Sequence, residues 1–575
     1  MKKFDLIIRG GMIVDGARKP AFRGDIAIEN GRIAAIGPDL DGASAEQTID
    51  AHGLIVAPGA IDLHAHFDAQ VHWDPYCTPH SWHGMTTTLI TSCGFGYAPV
   101  RPEMRERTMA MMESTEQVPL AAQRAALPWT WETYPEWLEH LKATPKAINM
   151  LNFIPLNQML IYVLGIEGAK SRNATAEEMA QLKAMLNEAM GLGAAGFSFS
   201  RMLNTSNHTD FDGTPMPTDV RPPEDFYELA AELGRRKAGI IQITANVPGT
   251  DESEVVEKVA RASGRPVIHL VAGPYSSEPD HHRRIMAWLD RMAEEGLHVY
   301  SAMVAPNGWM EFKIHEFNFW ERISYFQQFV NADFDRKLEL CFDPEFLAGA
   351  RDAYDPVILG GSGGKWDDYQ IVRANTPAYD EFDGKSVGEL AKARGLSITD
   401  AMFDLLGQSK LETEFTSPAS GTPDPALYAE VFNHPRIFPN CSDGGAHIQT
   451  VNVIGTSEYL RWAVRDEKIL SLEEMHYKAS GLGAEILGLK DRGTLRVGNA
   501  ADIMIYDLAT LDYDRKYLIL DDVPGGLYRR AAPPPRGMKW VIVNGEPVLE
   551  NGKPIGPLPG RVIPPGPEGS WPIAA

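Results

Sequence analysis

The sequence predicts an α/β protein, a (β/α)8 TIM barrel that carries a small β-sandwich domain built from both chain termini. Three observations predict it. Eight short apolar runs alternate with helical patterns between residues 57 and 484. Segments 1–56 and 485–560 instead read as short strands cut by turns. Strand–helix alternation over this length argues for parallel strands joined by crossover helices, and two all-β pieces of similar texture at opposite ends argue for one unit assembled from both.

In order, segment 1–56 holds FDLIIRGG, MIVDG, GDIAIENG, RIAAIG and QTIDAHG, with Asp15-Gly16 and Asn30-Gly31 as hairpin turns. The eight runs are LIVAPGAIDLHAHF, TTTLITSCGF, AINMLNFIPL, AAGFSFSRM, GIIQITANV, RPVIHLVAG, HVYSAMVAP and RIFPNCSDGG. Between them ATAEEMAQLKAMLNEAMGLG has helical periodicity and ends on glycine. Residues from about 309 to 417 are too many for a simple connection, so they read as an insertion that covers the barrel mouth. Segment 485–560 resumes the strand-and-turn texture with Asn544-Gly545 and Asn551-Gly552, and 561–575 is Pro- and Gly-rich, an expected extended tail.

The chain has 575 residues, 44% of them apolar and 23% charged, ordinary values for a globular protein. A net charge of -23 argues against nucleic acid or an anionic membrane as partner. The cysteines number 4 (Cys77, Cys93, Cys341, Cys441), too few for a disulfide scaffold and suited to a reducing compartment. MKKFDLIIRGG has no apolar signal core, and no apolar run approaches the roughly 20 residues that span a bilayer. A cytoplasmic protein is expected, with a homo-oligomer left open.

A barrel carries its chemistry where its strands end, and there the sequence gathers metal-ligating residues. In IDLHAHFD, alternation sends Asp62, His64 and His66 to one face. A buried strand puts two imidazoles on one face when something there holds them. Cys93 closes the second run, His269 lies in the sixth, and Asp443 closes the eighth. Singly, such a cysteine is most often a small buried hydrophobe, such an aspartate a turn residue, and such a histidine a satisfied core residue. Together, imidazole, thiolate and carboxylate are a donor set that suits zinc.

The chain resembles the metal-dependent amidohydrolase superfamily and, within it, the N-acyl-D-amino-acid deacylase (D-aminoacylase) branch. The resemblance rests on DLIIRGGMIVDG, GLIVAPGAIDLHAHFD, HGMTTTLITSCGFGYAP, GAAGFSFSRM, the stretch from WDDYQIVRANTPAYDEF to SITDAMFDLL, SDGGAH, and the closing segments LSLEEMHYKASGLGAEILGLKDRGTLRVGNAADIMIYDL and VNGEPVLENGKP. It implies His64 and His66 as metal ligands, Cys93 as a ligand able to bridge metals, and Asp443 as a ligand and catalytic base. The branch places a ligand histidine at the end of its fifth strand, but that run here offers only Gln242, Thr244 and Asn246. In the sixth run His269 lies about two residues early; sharing parity with the family position, it is expected to point inward, one layer deeper. The fourth run has neither lysine nor glutamate. One zinc ion is therefore expected, with less support for a second.

The activity implied is hydrolysis of the amide bond of N-acyl (D-)amino acids, a small-molecule amide substrate. The alternatives are another amide (lactam, cyclic imide, N-formyl or aryl amide) or a non-catalytic binding protein on the same fold. For the substrate carboxylate, Arg201 is the first candidate. His208 and Asp212 in the following loop, and His447 beyond Asp443, are further candidates for the site. His80 and His83 precede the second strand and read as structural. The insertion's aromatics, from Trp309 to Phe329, read as its own core, the alternative being an apolar lid.

Overall fold

The computed structural model describes residues 3–566 apart from 41, 304, 362, 419–422, 440 and 451–454. The chain begins with β1 (Lys3–Ile13), β2 (Phe22–Glu29), β3 (Arg32–Gly37), β4 (Ser44–Asp50) and β5 (Ile55–Pro58). β2 lies antiparallel to β1 and β3, while β4 and β5 run parallel to β1. The β2–β3 turn has both Asn30 (φ 53°) and Gly31 (φ 74°) in the left-handed region, the conformation a tight hairpin of this hand requires.

The expected runs then appear as parallel strands. β6 (Ala60–Asp62), β7 (Met85–Ile90) and β8 (Asn149–Asn152) form one sheet. β9 (Ile154–Pro155), β10 (Gly196–Ser200), β11 (Ile240–Thr244), β12 (Val267–Ala272) and β13 (Val299–Met303) belong to a second. The helix Ala176–Leu192 falls where its periodicity predicts. It opens on a Thr175–Glu178 capping box and stops at Gly193 in the left-handed conformation.

Next comes the insertion, with β14 (Trp309–Lys313), β15 (Gln370–Arg373) and β16 (Glu414–Pro418) in a small antiparallel sheet. Phe312, Phe317, Trp320, Phe326, Phe329, Trp366 and Phe403 form its own core, so these aromatics fill the insertion rather than line a lid. It lies against the loops that follow the parallel strands. Asn318 donates to the carbonyl of Asn207 (3.3 Å), and Glu311 N–H donates to Thr450 O (3.0 Å). The buried Arg322 guanidinium donates to the carbonyls of Thr205 (3.1 Å), Pro248 (2.7 Å) and Ile358. β17 (Ile437–Phe438) follows and pairs parallel with β13, completing the second sheet in the order β17-β13-β12-β11-β10-β9.

The chain closes with β18 (Ile503–Tyr506), β19 (Leu518–Val523), β20 (Leu527–Ala531), β21 (Met538–Val543), β22 (Glu546–Glu550) and β23 (Lys553–Pro554). β18 pairs antiparallel with both β5 and β21, so the two ends of the chain meet in one nine-stranded sheet. Residues 561–566, the described part of the expected tail, run along β8. Arg561 O accepts from Met150 N–H (2.9 Å), Ile563 N–H donates to Met150 O (2.8 Å), and Ile563 joins the cluster of Leu89, Leu151, Ile268 and Leu270 between the strands. The backbone of these residues is drawn in because Ile563 buries its side chain there; 567–575 lie outside the described residues. The whole is a mixed α/β fold, and among the described residues no helix is long and apolar enough to cross a membrane.

Replacing Arg322 by Met would leave three buried carbonyls without their charged donor. The expected loss is on the order of 3 kcal/mol, read as a lower denaturant midpoint together with faster proteolysis within 309–417. An unchanged midpoint would show that this clamp does not hold the insertion down.

Candidate metal centre

Register decides which side chains meet. Ser198, Gln242 and Ile268 stand opposite one another across β10, β11 and β12, and Phe199, Ile243 and His269 form the next row. In parallel strands such rows share a face. Gln242 and Thr244 both reach Cys93, so their face looks inward; the Phe199 row looks out toward the helices, where Phe199 meets Phe226 at 4.8 Å between ring centroids.

Beyond β6 and β17 the backbones still pair. Asp443 N–H donates to His64 O (3.1 Å) and His66 N–H to Gly444 O (2.6 Å). The Asp62 carboxylate accepts from His64 N–H (3.1 Å) and Ser442 N–H (3.3 Å), joining the two segments again. Burial pushes the Asp62 carboxyl up to about 6. Gly445 permits this approach: at φ +91°, a Cβ there would lie 2.3 Å from His66 O.

Cys93 sits in a turn with Thr91, Cys93 and Gly94 all at positive φ. Asp68 accepts from Thr91 N–H (3.2 Å) and Thr91 Oγ1 (2.5 Å), while Cys93 N–H donates to Gln242 Oε1 (2.7 Å). These bonds aim the sulfur. Cys93 Sγ lies 3.4 Å from His64 Nε2 and 3.2 Å from Thr244 Oγ1.

The remaining donors close in around it. Asp443 Oδ1 is 3.4 Å from His64 Nε2 and 3.2 Å from His66 Nε2, and Glu116 Oε2 is 3.6 Å from His66 Nε2. Zinc–donor bonds of about 2.0–2.3 Å at tetrahedral angles put neighbouring donors roughly 3.3–3.8 Å apart, so most of these separations suit a shared cation better than a hydrogen bond. Three donor groups each lie within 4.8 Å and are able to hold a cation: His64/His66/Cys93, Cys93/Glu116/His208 and His66/Glu116/Asp443. His64 Nδ1, His66 Nδ1, Glu116 Oε1 and His208 Nδ1 have no hydrogen-bond partner among the described residues.

Charge in the cluster is unevenly held. Burial pushes the Cys93 thiol up, and the carboxylates of Glu116 and Asp443 push it further. Glu116 is likewise raised, first by burial and then by Asp443 and Asp68. Burial would raise Asp443 too, but the His64 and His66 imidazoles outweigh it and hold that carboxyl well below the usual range. Asp443 thus stays ionised, with a side chain 35% open to solvent.

Sequence reasoning missed Glu116. It ends the helix Arg105–Glu116 that follows β7, just before Gln117 at φ 50°. An acidic residue in a helix's last turn opposes the helix dipole, and that is the one signal that could have found it. Its carbonyl accepts His447 N–H (2.7 Å). His447 Nδ1 meets Gln117 Oε1 (2.6 Å), its Nε2 lies 3.9 Å from Asp443 Oδ2, and Phe319 packs on the ring at 5.0 Å.

Two expectations fail. Arg201 does not reach the site: its Nε pairs with Glu252 (2.6 Å) and its Nη1 donates to the carbonyls of Thr218 and Arg221. Arg201 shares the outward parity of Phe199, with its N–H still paired to Thr244 O (2.8 Å), so the guanidinium leaves on the helix side over Phe226. His269 does not point inward. It belongs to the outward row, with Nδ1 3.0 Å from Ser301 Oγ and its ring edge-on to Trp288 at 5.1 Å. Asp212 caps a turn by accepting Thr214 N–H (3.0 Å).

His269 therefore gives a separable prediction. Burial lowers its pKa to about 3. The unfolded chain takes this proton near 6.5, so stability falls as the pH drops from about 6.5 to about 3, by up to about 1.4 kcal/mol per pH unit. His269→Asn should flatten that acid limb in denaturant titrations yet leave cation content and activity unchanged. Loss of cation would put His269 back among the ligands.

Residues 47–300 match the amidohydrolase family. The chain is 26% identical over 581 residues to the N-acyl-D-aspartate deacylase of Alcaligenes xylosoxydans xylosoxydans, covering 99% of this chain and 96% of that one. It is 25% identical over 579 residues to the D-aminoacylase of the same organism, 97% of each. Among solved structures, the N-acyl-D-glutamate deacylase of Bordetella bronchiseptica, complexed with zinc and a phosphonate inhibitor, overlays with a TM-score of 0.63 at 22% identity, covering 98% of this chain and 100% of that one. At that identity the overlay speaks for the fold. The paired strand-end histidines and the cysteine turn fall inside residues 47–300, and over that segment the chain carries an amidohydrolase-family domain.

Proposed function

We propose that this protein is a zinc-dependent amidohydrolase that removes the acyl group from N-acyl amino acids, with the D series as its substrates. The observation that carries the reading is the convergence of His64, His66, Cys93 and Asp443 at cation-cage spacings. It stands in a chain whose relatives over nearly its whole length include an N-acyl-D-aspartate deacylase and a D-aminoacylase. In domain terms we read 57–484 as a closed eight-stranded barrel with the insertion at 309–417. Phe153 alone separates β8 from β9, and the His64–Asp443 and His66–Gly444 bonds join the first strand to the last. We read 1–56 and 485–560 as a β-sandwich, supported by Ile33 N–H reaching Asn499 O (2.8 Å) across the two pieces.

His64, His66, Cys93 and Asp443 would hold one cation, and imidazole, thiolate and carboxylate together favour zinc. Bound there, such an ion polarises a carbonyl and lowers the pKa of a water. Asp443 is kept ionised by two imidazoles and open to solvent on one side, so it can take a proton from water and return it to the leaving nitrogen. Gln117 holds His447 by Nδ1, which turns Nε2 toward Asp443, where it can bond a polar group of the substrate. Arg201 is committed to Glu252 and is not assigned the substrate carboxylate.

The test is release of free amino acid from a panel of N-acyl D- and L-amino acids by enzyme purified without chelator. The D members should react. His64→Ala should lose the cation held by His64, His66, Cys93 and Asp443 together with activity, and Asp443→Asn should lower kcat by about 10²–10⁴-fold. Activity that survives His64→Ala removes the reading. A panel in which only cyclic or aryl amides react reassigns the substrate.

A further inference from the structure

We propose that Cys93, Glu116 and His208 form a second divalent-cation site, sharing the Cys93 sulfur with the first; the inference rests on the cation-dependent reading above. The three donor atoms lie within 4.8 Å of one another. All three residues are buried, at 3%, 1% and 6% exposure. Glu116 Oε1 and His208 Nδ1 lack a hydrogen-bond partner among the described residues. A buried carboxyl oxygen and a buried imidazole nitrogen left in this state are costly, and a cation shared by these residues would give a buried carboxyl and a buried imidazole a partner.

These donors do not come from strand ends. Glu116 is delivered by the last turn of the helix Arg105–Glu116, and His208 by the loop after β10. The strands have nothing to offer in their place. On β11, Gln242 is spent on Cys93 N–H and Thr244 on the sulfur, and on β12 His269 faces the helices. Both outside donors are held in place. Glu116 has its carbonyl fixed by His447 N–H, while His208 N–H donates to Ser206 Oγ (3.1 Å) and its ring stands edge-on to Phe95 at 5.0 Å.

A single ion does not account for the whole set. His64, His66, Cys93, Glu116, His208 and Asp443 all belong to the three donor groups, more donors than a tetrahedral zinc takes. Among the described residues, no such group joins His208 to His64, His66 or Asp443. Glu116 belongs to a group on either side, through His208 and through His66, so its carboxylate spans the two positions. His208, expected from the sequence to contact substrate, is assigned here to the second cation.

The experiment measures zinc content of the full chain, purified without chelator and also reloaded with Zn²⁺ after chelation, by mass spectrometry of the metal and by titration calorimetry. Wild type should hold two equivalents. Glu116→Gln, an isosteric change, and His208→Asn should each hold one, with an unchanged circular dichroism spectrum. His64→Ala should lose the other equivalent. With Co²⁺ in place of zinc, the sulfur-to-cobalt charge-transfer band should persist in Glu116→Gln, because Cys93 still serves the first site. A wild type holding one equivalent, or variants at 116 and 208 that keep the wild-type number and affinity, overturns the second site alone. A wild type that takes up no cation overturns the first reading as well.

Discussion

Two backbone hydrogen bonds decide what this molecule is able to do. Asp443 N–H on His64 O and His66 N–H on Gly444 O clamp a segment near the start of the parallel strands to one at their end. Peptide groups in register at that separation set the Asp443 carboxylate beside two imidazoles whether or not the side chains attract one another. Carboxyl groups crowd the cluster that results: Asp443 and Asp68 push the Glu116 carboxyl up, and Glu116 and Asp443 push up the Cys93 thiol. No lysine or arginine forms an ion pair with Asp68, Glu116 or Asp443 among the described residues, so a cation held by the cluster would be their balancing charge.

The paired histidines were legible because alternation along one short strand carries them, and local periodicity is what a sequence displays most directly. Cys93 was legible as the residue that closes an apolar run. His269 was not. Both faces of β12 are apolar, as buried parallel strands are, so RPVIHLVAG has no alternation that says which parity faces in. Only hydrogen-bond register with Ile243 and Ser301 fixes it. Arg201 misled for a related reason. It keeps the parity of Phe199, and its N–H still pairs with Thr244 O (2.8 Å), but only register with β11 shows that this parity faces the helices. Glu116 left only its unfavourable charge at a helix end as a signal, since its place depends on how that helix returns over the strand ends.

The insertion was legible as an insertion, and its role follows from what it grips. It bonds the loops after β10, β11 and β17 through Asn318, Arg322 and Glu311, and Phe319 stacks on His447. Each contact falls on a segment that also carries a cluster residue or its neighbour. The insertion thus touches both the loop that carries His208 and the ring of His447.

The sheet shared by the two ends of the chain sets the timing of assembly. β5 leaves the ribosome early, but its partner β18 is encoded far later, from Ile503 onward. At about 5–20 residues per second that gap lasts roughly 20–90 s, during which the apolar edge of β5 has nothing to pair with. Such an edge invites association with other nascent chains, and contacts this distant in sequence make folding slow. Production of this protein should therefore respond to chaperone supply and to growth temperature more than its final stability alone would indicate.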